Sequence, residues 1–267
     1  MLLKTLDGTA ILGYAGLGAT ARGTEPTDWM NSVLRGRKRP LEHVLGDLAE
    51  AMQRQFPRHL ARLPKDVHAA HNILIPAFVD GEVRMYTIDL VLSSDREAYS
   101  FRYTRHVVNP VPSRPYRAPR IGLAGSGAIA LVRDKHWIRN LLRLVRACDA
   151  KKVPPIMVED QLASINALAH RRTADGSVGP YCIVAWRHNK GGGGHQFYDG
   201  TTRTDDTGSL PTIANGMDVQ AIAQTLMPHL MKQMNTLRSG AQGIELDIAK
   251  LNSELAKLPE QPDERLK

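Results

Sequence analysis

The sequence predicts an α+β domain: a four-layer αββα sandwich of two antiparallel sheets with helices outside each. Three observations carry that expectation. Strand-like segments are joined by short Asp-Gly turns, Asp7-Gly8 and Asp80-Gly81, which specify antiparallel hairpins. Helical segments come in pairs between the strand blocks, near 26–56 and 128–172. The order strands, two helices, antiparallel strands, two helices, strands, one helix buries every apolar face when two sheets stack with helices outside. The domain is expected over residues 1–240, with an amphipathic helical tail and a disordered end over 241–267.

Taken in order, Met1 to Leu6 is strand-like, and Thr9 to Gly18 (TAILGYAGLG) is a buried strand entering a glycine-lined turn. Gly13, Gly16 and Gly18 remove side chains where backbone comes close to something, either a substrate or a tightly packed helix. A helix is expected from Pro26, capped by Thr24 or Thr27 and ended at Gly36. A second runs from Pro40 to Phe56 with Leu41, Val44, Leu45, Leu48 and Met52 facing the core and Pro57 closing it.

The hairpin 71–92 and the strand Tyr99 to Val108 follow, with alternating Phe101 and Tyr103. Four prolines make Asn109 to Pro119 a surface loop. A short strand, Arg120 to Ala124, runs into Gly125-Ser126-Gly127 and a helix from Ala128 to Cys148. Leu131, Ile138, Leu141, Leu142 and Val145 are that helix's apolar residues. The next helix, Met157 to Arg172, carries Leu162, Ile165 and Leu168. Val178 to Trp186 is a buried strand, and Gly191 to Gly194 is expected to form a mobile hairpin tip. Val219 to Leu237 is helical, and the tail repeats Ile244, Ile248, Leu251, Leu255 and Leu258 in a narrow stripe suited to docking.

Composition narrows the function classes. The chain has 267 residues, 42% hydrophobic and 23% charged, enough for a substantial core. Two cysteines, Cys148 and Cys182, without metal-type spacing exclude a disulfide framework and point to a reducing, cytoplasmic setting. No apolar run is long enough to span a membrane, and no signal-peptide pattern opens the chain. The net charge of +8 is spread over 35–39, 58–65, 114–120 and 171–172 with 5% aromatic residues. It reads as scattered solvated charge rather than a nucleic-acid surface.

Other constellations resolve to structure. His68 and His71 have no carboxylate partner at ligand spacing, and no metal or cofactor is expected. His188 and His195 flank the glycine run, but Lys190 precedes it, so the phosphate-loop order fails. Cys148, Cys182, Trp29, Trp137 and Trp186 read as core residues. Ser126 has glycine immediately on both sides, unlike a nucleophile elbow, and suits close helix–strand packing.

With those motifs in hand, the chain resembles the proteasome β-subunit branch of the N-terminal nucleophile (Ntn) hydrolases. Gly13-Tyr14-Ala15-Gly16 is similar to that family's strand ending in an alanine-glycine pair. Gly125-Ser126-Gly127 resembles its glycine-serine-glycine turn, and Asp175 with Gly179 its aspartate-x-x-x-glycine. The resemblance implies threonine-type amide-bond hydrolysis and, if the chain is active, a peptide or amide substrate; a homo-oligomer or another partner is expected to associate through the outer helices and the C-terminal helix. It gives supporting roles to four residues: Lys4 as the pKa-lowering lysine, Gly16 as the oxyanion N–H, and Ser126 with Asp175 as the polar pair. The family's nucleophile strand lies upstream of its lysine. This chain is therefore expected to be an N-terminally shortened version or a non-catalytic assembly or binding module. An open sheet edge beside Met1 is expected to need cover from a missing segment or a partner strand.

Overall fold

A computed structural model describes residues 1–16, 25–60, 71–92, 99–107, 121–132, 134–173, 176–206, 208–238 and 247–261. Among them are seven helices and two sheets, of eight and three strands. The large sheet is assembled from β1 (Leu2–Lys4), β2 (Gly8–Ile11), β3 (Gly13–Ala15), β4 (Asn72–Val79), β5 (Glu82–Leu92) and β6 (Tyr99–His106), with β10 (Thr212–Ala214) and β11 (Met217–Asp218) added at one side. Its order is β11-β10-β1-β2-β4-β5-β6, with β3 also paired to β4. The small sheet is β7 (Tyr181–Arg187), β8 (Gly193–Asp199) and β9 (Thr202–Arg203).

The hairpin turns form where the Asp-Gly pairs place them. At Asp80-Gly81 both central residues hold positive φ, 50° and 80°, the geometry whose twist matches the flanking strands. Asp7 also bonds beyond its own turn, since its Oδ1 accepts from Thr5 Oγ1 and from Leu41 N, both at 2.8 Å. The β1–β2 turn thus caps the start of α2 (Leu41–Leu60).

That helix and α1 (Pro26–Leu34) cover one face of the large sheet. Leu41, Val44, Leu45, Leu48 and Met52, the stripe read from the sequence, are all buried against Leu3, Ala10, Ile73, Ile75, Tyr86, Ile88 and Ile213. Helix α2 continues past Pro57 to Leu60. Phe56 holds that end, packing edge-on against His71, Tyr99 and Phe101 at centroid distances of 5.0, 4.9 and 5.0 Å. Helix α1 starts from Glu25 without a side-chain cap; Thr27 lies inside the helix and Thr24 lies outside the described residues.

The second half contains α3 (Ser126–Leu131), α4 (His136–Asp149) and α5 (Pro155–Arg172) beside the small sheet. One helix was expected over 128–148, and it is two. Trp137 Nε1 donates to the Leu131 carbonyl at 3.0 Å, and Asp134 Oδ1 accepts from His136 N at 2.9 Å. The ends freed by the break are therefore satisfied by side chains. Leu131, Trp137, Leu141, Ile165 and Ala169 form this half's core, but Leu162 is exposed. A third cluster, Ala163, Val184 and Tyr198 with Cys182, joins α5 to the small sheet.

Four further expectations are corrected. The large sheet is not wholly antiparallel, because β1 pairs with β10 in parallel register, Leu3 opposite Ile213. That same pairing occupies the sheet position beside Met1 that was expected to stand open. Residues 121–124 pair with no strand, and the described part of the expected strand crosses the sheet instead, with Gly122 packed on Leu74. The glycine run is only half a tip: Gly191 and Gly192 turn, whereas Gly193 and Gly194 lie in β8, where a Cβ on Gly194 would strike the Trp186 ring at 2.5 Å.

Helix α6 (Val219–Arg238) carries α7 (Ile248–Leu255) through a His229 Nε2–Glu254 Oε2 contact of 2.6 Å. No residue of α7 is buried, and Ile248 is 62% exposed. Gly18, His68, the loop 109–119, Ile244 and the end 262–267 lie outside the described residues.

Candidate functional site

Burial alternates along the central strands, and this defines the site's floor. Ile73, Ile75, Ala77 and Val79 of β4 point to the helices, so Asn72, Leu74, Pro76 and Phe78 face the other way. Register carries that second face across the sheet. Ala15 stands opposite Asn72, Asn72 opposite Asp89 and Asp89 opposite Arg102; Thr87 stands between Leu74 and Thr104.

Polar side chains on these rows bond to one another. Asn72 Nδ2 donates to Asp89 Oδ1 at 3.3 Å, and Thr87 Oγ1 donates to Asp89 Oδ2. Thr87 Oγ1 also lies 2.7 Å from His106 Nε2. A carboxylate only accepts, so the single Thr87 proton goes to Asp89 and His106 Nε2–H is the donor to Thr87. The imidazole therefore does not point a basic nitrogen at the hydroxyl, as activation of a threonine nucleophile requires. The amide oxygen of Asn72 is buried with no partner among the described residues, leaving the cluster one acceptor short of a donor.

Two glycine turns meet at the border of this cluster. The segment Ile121 to Gly125 passes over Leu74 and reaches the end of β3, where a Cβ on Gly125 would lie 3.0 Å from the Ala15 Cβ. Gly125 has φ 80°, so a side chain there is excluded by conformation and by space together. Ser126 follows as the first residue of α3, and its Oγ accepts from Ser177 Oγ at 2.7 Å. The structure thus brings Gly16 and Ser126, two of the four residues assigned from the resemblance, to one place.

Lys4 is not there. In the β1–β2 hairpin Lys4 sits beside the turn, opposite Thr9, which in turn stands opposite Phe78. Ala15 stands opposite Asn72, six residues along β4, a separation of about 20 Å. That exceeds the screening length of roughly 8–10 Å for exposed charges, and Lys4 is exposed. An antiparallel hairpin brings its first residues, not its last, beside the end of the returning strand. Asp175 lies outside the described residues; two positions on, Ser177 supplies the hydroxyl that bonds Ser126.

Sequence reading missed Asn72, Thr87, Asp89 and His106. The period-two pair Thr87 and Asp89 was the available signal, but its partners come from other strands. Two of the histidines considered as ligands are engaged otherwise: the Tyr14 hydroxyl lies 2.6 Å from His71 Nδ1, and His195 Nε2 donates to the Gly208 carbonyl at 2.6 Å. No group of three or more His, Cys, Asp or Glu residues among those described could hold a metal ion. Burial pushes the Cys182 thiol up, which disfavours a reactive thiolate. No helix among the described residues is long and apolar enough to cross a membrane. No family model, curated protein or solved structure matches the chain.

Proposed function

We propose that this chain is a binding module on the proteasome-type Ntn plan, four layers deep, that holds a peptide or other amide between its two sheets. The observation that carries the reading is the Asn72–Asp89–Thr87–His106 cluster on the sheet face turned away from α1 and α2. The groups it gathers are acceptors, the Asp89 carboxylate and the buried Asn72 amide oxygen that lacks a donor among the described residues, and they suit a ligand rich in N–H donors. The layering is supported by Asn189 Nδ2, which donates to the Gly81 carbonyl at 3.0 Å, so the small sheet's hairpin meets the β4–β5 turn.

Thermal unfolding followed with N-acetyl peptide amides tests this. The wild-type chain is expected to be stabilised as ligand rises, and Asp89→Asn to lose most of that shift. No shift with any peptide amide, or an equal shift in the variant, would overturn it.

A second reading, amide hydrolysis by an N-terminal nucleophile, is favoured by the Ala15–Gly125 juxtaposition. Its test is N-terminal sequencing of the native protein together with release of a fluorogenic amine from N-acyl peptides. A native threonine, serine or cysteine N-terminus without turnover would sink it. Association of copies through α6 and α7 is supported by exposed Met227, Leu230, Met231 and Met234. Light scattering with and without residues 241–267 tests that association, and an unchanged monomer in both cases counts against it.

A further inference from the structure

Helix α4 separates its residues by side. Trp137 and Leu141 are buried, with Ile138 and Val145 packed beside them. The opposite side carries Arg139, Arg143 and Arg146, with Lys135 one turn ahead, all exposed. At 3.6 residues per turn these four fall within about 80° of arc and form a ridge roughly 16 Å long.

No carboxylate among the described residues forms an ion pair with any of the four. Arg139 instead donates to His136 Nδ1 at 3.2 Å. The neighbouring acids are engaged elsewhere: Asp134 with Arg172 at 2.9 Å, and Glu159 and Asp160 with Arg203 at 2.8 and 3.0 Å. Asp149 is the one acid on α4, at its C-terminal end, and Lys151 and Lys152 continue the positive charge beyond it. Like charges three and four apart weaken a helix by a few tenths of a kcal/mol per pair. The ridge is therefore not a stabilising device.

We propose that this ridge binds the phosphate backbone of a nucleic acid without reading its sequence. Three guanidiniums on one line match phosphate oxygens bidentately, which lysines do not. The ridge carries no Phe, Tyr or Trp to stack on bases, and its His136 ring is bonded to Arg139, so it gives affinity and no base choice. The apolar side of α4 is occupied by its own core, so the helix has no free face to insert into a lipid surface. The proposal is independent of the Asn72–Asp89–Thr87–His106 cluster, which lies on the large sheet, whereas the ridge lies on α4.

The test is fluorescence anisotropy of labelled 20-nucleotide single strands and 20-base-pair duplexes, from 50 to 200 mM salt. The wild-type chain should bind, weakening steeply with salt. The variant R139A/R143A/R146A should lose at least about tenfold in affinity, and its log–log salt slope should shrink by about 2 to 3. Alanine favours the helix, so unchanged circular dichroism and melting are expected. A control that removes three exposed charges elsewhere, K38A/K190A/K257A, should lose no more than about threefold. Absence of binding at 50 mM salt, or equal loss in both triple variants, would overturn the proposal. So would ridge-dependent binding to phosphatidylserine vesicles without binding to oligonucleotides.

Discussion

The two halves of this protein are held together by different means. Around α2 and the large sheet, apolar volume dominates: Leu34, Leu41, Leu45, Leu48, Ile73, Ile75, Tyr86 and Ile88 are 0% exposed. Around α5 and the small sheet, few side chains close completely and a polar network takes over. Arg203 joins Glu159, Asp160 and the Ile156 carbonyl, Tyr198 donates to Asp160 at 2.9 Å, and the Arg203 guanidinium lies over the Tyr198 ring. Burial, followed by its bond to Asp160, pushes the Tyr198 hydroxyl far up, so it stays a donor throughout the usual pH range. A two-helix cover on an eight-stranded sheet excludes water over a wide area. A three-stranded sheet has less area to cover, and directional contacts do more of the positioning.

The largest expected effect that sharpens this contrast is in the first half. Leu45→Ala should cost about 3–4 kcal/mol in denaturant unfolding, because the site is closed on all sides. Leu141→Ala, at a site 7% exposed, should cost about 2 kcal/mol. Equal losses would break the contrast.

A smaller effect belongs to the polar network. Arg203→Ala leaves Glu159, whose side chain is 10% exposed, without its partner. The expected loss is about 1–2 kcal/mol, below the full cost of a buried pair because Arg203 is 32% exposed and water screens it. Thermal unfolding of R203A beside R203K separates lost charge from lost geometry; R203K should recover only part, since one ammonium replaces a fork that reaches two carboxylates.

The smallest effect is at α7. His229 beside Glu254 holds that carboxyl below its ordinary value of 4.5. A depressed acid contributes its stabilisation above the ordinary value and loses it as pH falls through the folded one. Helix α7 should therefore loosen from α6 below about pH 4.5, seen as α7 amide shifts moving toward coil values between pH 5 and 3. His229→Ala should produce the same change at pH 6. Amide shifts that stay put in both experiments would show that apolar contact alone holds the tail.

Much of the first half was legible because its signals are local. The α2 stripe, the Asp80-Gly81 turn and the β4–β5–β6 meander depend on periodicity and on residues adjacent in sequence. Other local signals were present and unread. Asn215-Gly216, with φ 51° and 84°, is a hairpin turn as clear as Asp80-Gly81, and it joins β10 to β11. Arg139, Arg143 and Arg146 stand in the sequence at spacings of four and three, hidden by a count of charge along the chain rather than around the helix.

By itself, the sequence determined most of the helices and the β4–β5–β6 strands, their apolar faces, and a close backbone approach near Gly16 and Gly125, whereas Gly13 to Ala15, expected within a turn, continue the sheet as β3. Tertiary structure alone decided that β10 lies parallel beside β1, that Lys4 stands about 20 Å from Gly16, and that Asn72, Thr87, Asp89 and His106 converge. The physical reason is register. Periodicity says which face a residue occupies, but its height on the sheet is set by which strand comes to lie beside it, and that depends on residues far away in the chain.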